Sequence, residues 1–180
     1  MKPLQPAGYW QHMNFPKRKW EAGNGDDLYR RGLYTFWCRS FPHPAMVAFD
    51  APSREECTAE RPRSNIPQQA LVLLNDPVFV EASRAFGERI AKEGGESLDA
   101  KLKWAWQSAT SRQPNTDELE ILKNLYQNQE SRYKADEAAA KALLGIDKAS
   151  ANQSIPFSEA AAWTSIARTI FNAYESNSRF

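Results

Sequence analysis

From Ser64 to its end the chain repeats one pattern: a polar capping residue, apolar residues three and four apart, then a glycine or another break. That spacing puts the apolar side chains on one face of a helix, whereas a half-buried strand would alternate them at every second residue. No convincing alternation of the second kind occurs, and no internal repeat is found. Ser64 or Asn65, with Pro67 in the first turn, predicts a short helix through Leu74. Asn75-Asp76-Pro77 opens a helix to about Lys92 that Gly94-Gly95 stops. Ser97 opens the next, with Leu98, Leu102, Ala105, Trp106 and Ala109 on one stripe. Asn115 and Glu118 read as a capping box before Leu119, Leu122, Tyr126 and Tyr133. A break near Asp136 separates that helix from an alanine-rich one to Leu144. Gly145 to Pro156 reads as a linker-like loop. A last helix runs from about Ser158 to Tyr174, with Trp163, Ile166, Ala167, Ile170 and Tyr174 inward.

Residues 1–63 differ. They are rich in proline and aromatics and carry ten basic and seven acidic side chains, net +3, against 13 and 15, net −2, for residues 64–180. Tyr29, Leu33, Phe36 and Trp37 stand at i, i+4, i+7 and i+8, which predicts a helix over Asp27–Arg39 with Asp26 or Asp27 as its cap. Pro42 and Pro44 end it. An ordered but irregular loop is expected from Pro42 to Pro62. The expected fold class is all-α: an irregular N-terminal third, then an orthogonal bundle of about five to six helices. The chain is read as one domain, 1–180, in which 1–63 holds the aromatic helix and the loop and 64–180 the bundle.

Composition removes several classes. With 23 basic and 22 acidic residues, the formal net charge is +1, so no dedicated nucleic-acid binder is indicated. No apolar run approaches the roughly 20 residues of a spanning helix, and no N-terminal apolar segment marks a signal peptide. Two cysteines, Cys38 and Cys57, and two histidines, His12 and His43, exclude a zinc finger, a c-type haem motif and a disulfide scaffold. No cofactor and no metal site is expected.

The chemistry that remains is concentrated between Asp50 and Arg63. There Asp50, Arg54, Glu55, Glu56, Cys57, Glu60, Arg61 and Arg63 lead into a helix start. Arg54, Arg61 and Arg63 can present planar donor forks to a carboxylate, phosphate or sulfate. Asn65 and the helix amides behind it add donors and the positive end of a dipole. The competing reading is that these arginines pair with the neighbouring acids and only tie the loop down. Cys57 is a candidate nucleophile, with its thiolate favoured by the arginines and His43 as proton partner; the alternative is a small buried hydrophobe. Cys38, in the aromatic helix, reads as core. A metal held by His43, Asp50 and a glutamate has no supporting motif. His12 reads as a surface residue. Lys17-Arg18-Lys19 beside Trp20 could meet a phosphate backbone, but more often is a solvated loop. The aromatic helix around Tyr34, Phe36 and Trp37 reads as core, or as a surface that docks a neighbouring domain.

Three strings carry a family resemblance: Asp27-Leu-Tyr-Arg-Arg-Gly-Leu-Tyr-Thr-Phe-Trp, Phe49-Asp-Ala-Pro-Ser-Arg-Glu-Glu-Cys-Thr, and Arg63-Ser-Asn-Ile-Pro-Gln-Gln-Ala-Leu-Val-Leu-Leu-Asn-Asp-Pro. The sequence resembles the C-terminal planctomycete-specific domain of unknown function, found in large secreted bacterial proteins that often carry a cytochrome-c-like domain. Lys2-Pro-Leu-Gln-Pro-Ala-Gly-Tyr-Trp and Ala162-Trp-Thr-Ser-Ile-Ala-Arg resemble it too. The resemblance implies that the domain continues upstream of Met1, so that this chain is a C-terminal fragment. It also implies a parent exported to the periplasm or cell surface. The family has no established reaction, so it assigns no catalytic residue. Asp50, Pro52, Arg54, Cys57, Thr58, Arg61, Arg63, Asn65, Pro67, Gln69, Asn75, Asp76 and Pro77 match its signature. Cys38 and His43 depart from it, where a basic residue and proline are common, which weakens any mechanism that needs His43. Glu175 to Phe180 also look atypical.

These readings give two expectations. The first is a non-haem helical accessory domain that binds an anionic or polysaccharide-derived ligand through the Arg-rich loop. Its partners would be upstream domains of the parent or a second copy of itself, with no nucleic acid and no membrane span. The alternative is a hydrolase of phosphate, sulfate or carboxyl esters, with Asp50 or Cys57 as base or nucleophile.

Overall fold

Capping chemistry sets the helix boundaries in the computed structural model, which describes residues 2–5, 7–9, 20–38, 42–53, 55–60, 62–145 and 155–177. Eight α-helices and no strand occur among them: α1 (Pro44–Ala48), α2 (Pro67–Asn75), α3 (Pro77–Glu93), α4 (Leu98–Thr110), α5 (Thr116–Ala135), α6 (Glu137–Leu144), α7 (Phe157–Phe171) and α8 (Tyr174–Asn177). The fold is all-α. The chain divides into two compact units, 1–72 and 73–180, and the boundary falls inside α2.

In the second unit each start signal does what its chemistry requires. The Asp76 carboxylate accepts from the Val78 amide at 2.9 Å ahead of Pro77, and Ser97 Oγ accepts from the Ala100 amide at 3.1 Å. Asn115 and Glu118 form a complete capping box, both bonds 2.8 Å long. Asp136 ends α5 and caps α6 through the Ala139 amide. Each cap satisfies an amide that the helix itself leaves without an acceptor.

Helix α7 is the centre of this unit, in contact with α3, α4, α5, α6 and α8. Ala161, Ala162, Ile166, Ala167 and Ile170 are fully buried, and Trp163 is 1% exposed. All but Ala161 pack with Phe86 and Ile90 of α3, Leu102, Ala105 and Trp106 of α4, and Leu122 and Tyr126 of α5. Burial pushes the Tyr126 phenol above its ordinary range. A smaller cluster joins Tyr133, Ala140, Leu144 and Ala161. Helices α3 and α7 approach closely at Gly87. A Cβ on Gly87 would lie 2.9 Å from the Thr164 nitrogen and 3.0 Å from the Trp163 carbonyl carbon. The buried hydroxyls of Ser83 and Thr164 donate to Phe79 and Ala160 of their own helices, at 2.8 and 2.7 Å, so neither brings an unmet polar group into the core.

Three sequence expectations need correction. The helix over Asp27–Arg39 is replaced by two short 3-10 helices, Gly25–Tyr29 and Gly32–Tyr34, with Arg30 and Arg31 extended between them. Its apolar stripe has little to bury against: Tyr29 is 60% exposed and Leu33 74%. Periodicity without packing does not hold a short helix together, and Gly32 weakens one further. The expected loop from Pro42 to Pro62 contains α1. At the C-terminal end, the last helix stops at Phe171 and a separate α8 begins at Tyr174, whose ring is 60% exposed rather than inward. The linker over 146–154 lies outside the described residues.

Candidate functional site

Helix α1 ends by a mechanism that places Asp50. The Ala51 amide donates to Met46 O at 2.9 Å and the Asp50 amide to Val47 O at 3.1 Å. This paired closure requires a left-handed residue just after the C-cap (here Phe49), a position where glycine is usual. Asp50 occupies it, at φ +58°. Aspartate tolerates that conformation better than most residues with a Cβ.

The turn aims the Asp50 carboxylate at the far end of the loop. Oδ2 accepts from the Ser64 amide at 2.8 Å, and Ser64 Oγ lies 2.8 and 2.9 Å from Oδ1 and Oδ2. Gln69, in the first turns of α2, donates through Nε2 to Ser64 O at 3.1 Å and to Ser64 Oγ at 3.3 Å. The loop between Asp50 and Ser64 is therefore closed at its base. Farther out, Trp37 Nε1 donates to Ser53 O at 3.3 Å, and the Glu55 amide to Ser53 Oγ at 3.3 Å. Residues 55–60 and 62–65 are exposed.

The closure brings some of the sequence candidates together. Arg63 and Asn65 flank Ser64, so both stand at the closed base beside Asp50, exposed to solvent. Arg63 makes no ion pair among the described residues. Arg54 and Arg61 lie outside the described residues, as do His12 and Lys17-Arg18-Lys19. Cys57 is an exposed free thiol and Cys38 is half-buried. The exposure of Cys57 departs from the reading of it as a buried hydrophobe. His43 is buried and serves another purpose: it is the N-cap position of α1, and its Nε2 lies 2.9 Å from Leu4 O, to which it donates. Among the described residues no group of three or more His, Cys, Asp or Glu is arranged to hold a metal.

Sequence reasoning missed the partners of Asp50. Gln69 stood out in the signature string and Ser64 as a helix cap, but nothing in their spacing told that both would serve the carboxylate side of a closed loop. Only the left-handed turn, which no residue type announces when aspartate fills it, brings the 14-residue separation to hydrogen-bond distance.

Among the described residues the molecule is all-helical, with a polar, exposed loop closed at its base by Asp50 and Ser64 and leading into a helix. Residues 1–126 match the PSD1 family, described as a protein of unknown function (DUF1553), and the chain belongs to that family. No curated protein and no solved structure matches it. No helix of the described residues is long and apolar enough to cross a membrane.

Proposed function

We propose that the protein is a helical accessory domain that binds an anionic ligand at the base of the Asp50–Ser64 loop. The observation that carries this reading is the closure of the loop by Ser64 on Asp50, which holds Arg63 and Asn65 exposed on either side of a fixed point. A guanidinium held near a rigid base loses less freedom when it grips a carboxylate, phosphate or sulfate. Arg61 and Arg54 of the same loop add positive charge in sequence. The domain works within an exported, multidomain bacterial protein of the planctomycete type, at the periplasm or cell surface, beside upstream domains of its parent.

The hydrolase reading is less well supported. Both carboxylate oxygens of Asp50 already accept from Ser64, and a base or nucleophile would have to give up the bond that closes the loop.

Calorimetric titration with sulfate, phosphate and glucuronate tests the proposal. Arg63→Ala is expected to weaken binding roughly tenfold, the size of one charge-assisted contact. Asp50→Ala, which opens the base, is expected to weaken it as well, while Asp50→Asn keeps the left-handed turn and an acceptor oxygen and retains part of the affinity. No heat with any of the three anions, or the same affinity in Arg63→Ala, overturns it. Turnover of a p-nitrophenyl phosphate, sulfate or carboxyl ester that disappears in Asp50→Asn would establish the hydrolase instead.

A further inference from the structure

In the second unit, Arg112 lies in the connection between α4 and α5 and uses its whole guanidinium. Nε and Nη2 donate to Glu175 at 2.8 and 3.0 Å, Nη1 and Nη2 to Glu118 at 2.8 and 2.6 Å, and Nη1 also to Gln113 O at 3.0 Å. Each carboxylate is held in a two-point grip, the geometry that makes an Arg–carboxylate pair strong. The guanidinium also lies 5.3 Å from the centre of the Trp106 ring. Arg112 holds the Glu118 carboxyl below its usual range through the direct hydrogen bond.

The two carboxylates do different work. Glu118 belongs to the capping box of α5 and has a second donor in the Asn115 amide. Glu175 belongs to α8, a helix of four residues that packs on α4 and α7 and buries none of its side chains. Phe171 and Ala173 just before it pack against the core, and the side chains of α8 itself make polar contacts. Among its other side-chain bonds are local ones: Ser176 Oγ to Ile170 O at 2.7 Å, and Asn177 Nδ2 to Phe171 O at 2.8 Å and Ala173 O at 3.2 Å. The bond to Arg112 spans 63 residues.

We infer that α8 is an ion-sensitive strap, clasped by Arg112 through Glu175, whose release uncovers the surfaces of α4 and α7 beneath it while leaving the helical core closed. The clasp suits that role because it is a network with ideal geometry at a partly exposed place: Arg112 is 39% and Glu175 41% exposed, so dissolved ions reach it. None of the four side chains of α8 is buried, so none belongs to the core cluster.

Hydrogen exchange on the full chain tests the strap, reading the amides of Ala173 and Ser176 against those of Ile166 and Ala167. In Glu175→Gln, exchange at Ala173 and Ser176 is expected to rise roughly tenfold with α7 unchanged. Salt at about 1 M, where screening acts within about 3 Å, is expected to do the same to the wild type and nothing further to the variant. The proposal is overturned if exchange at Ala173 and Ser176 is the same in Glu175→Gln, or if Ile166 and Ala167 lose protection equally, which would make the pair part of global stability. It is equally overturned if salt leaves the wild-type segment protected.

Discussion

The two units of the chain are held together in different ways. In residues 73–180 apolar side chains of α3, α4, α5 and α6 meet on α7, and polar side chains cap the starts of α3, α4, α5 and α6. In residues 1–72, besides the Asp50–Ser64 closure, several long-range bonds run from rings to backbone carbonyls: Trp20 Nε1 to Pro3 O at 2.9 Å, Tyr9 OH to Pro42 O at 3.2 Å, His43 Nε2 to Leu4 O at 2.9 Å and Trp37 Nε1 to Ser53 O at 3.3 Å. Lys2 sits over Trp20 and Phe36, at 5.6 and 5.8 Å from the ring centres. The first unit is a set of tethers between irregular segments; the second is a core. A core responds to volume, because it is close-packed everywhere. A tether responds to the loss of one donor, and only near its own ends.

Three substitutions sharpen that contrast. The largest effect is expected from Trp163→Ala. Removing a ring that is 1% exposed at the meeting point of four helices should cost about 3–5 kcal/mol, read as a fall in the denaturant midpoint with little change in slope. Gly87→Ala comes next. Its added methyl meets backbone of α7 at 2.9 Å, which cannot rotate away, so the cost should be about 1–3 kcal/mol. Equal stability of Gly87→Ala and wild type would mean that α3 and α7 are not locked at this crossing. The smallest effect is expected from Trp20→Phe, which keeps a ring 5.9 Å from Phe36 but removes the donor to Pro3 O. It should cost about 1 kcal/mol locally and speed amide exchange at Gly23, whose bond to Lys2 O is the neighbouring tie. If the amides of α7 also exchanged faster, the two units would share one cooperative transition and the contrast would fail.

The same contrast explains what could be read from the residues alone. The helices of the second unit were legible because each cap is a short-range event: Asp76, Ser97, Asn115 and Asp136 satisfy amides two or three residues away. The separation of α8 from α7 was less so, because Ala173 and Tyr174 continue the apolar spacing although the ring of Tyr174 faces solvent. In the first unit, Tyr29, Leu33 and Phe36 carry a helical period that the fold does not use, since no buried surface receives it. The candidate site was half legible. Asp50, Arg63 and Asn65 could be named from residue type, but their arrangement depends on a left-handed aspartate and on Ser64, which sequence reasoning had assigned to capping alone.

The place of α7 in the chain has a consequence for synthesis. Its partners α3, α4, α5 and α6 are all made before it, and the Gly87–Thr164 crossing joins residues far apart in the chain. Until α7 emerges, Phe86, Ile90, Leu102 and Leu122 have amphipathic faces and no common partner. Contacts of such long sequence separation form late, because the intervening chain must first be ordered. Residues 73–145 therefore pass through an interval as capped but unclosed helices, with their apolar stripes open to any other hydrophobic surface nearby. Helix α7, made after α3, α4, α5 and α6, is the element that ends this exposure.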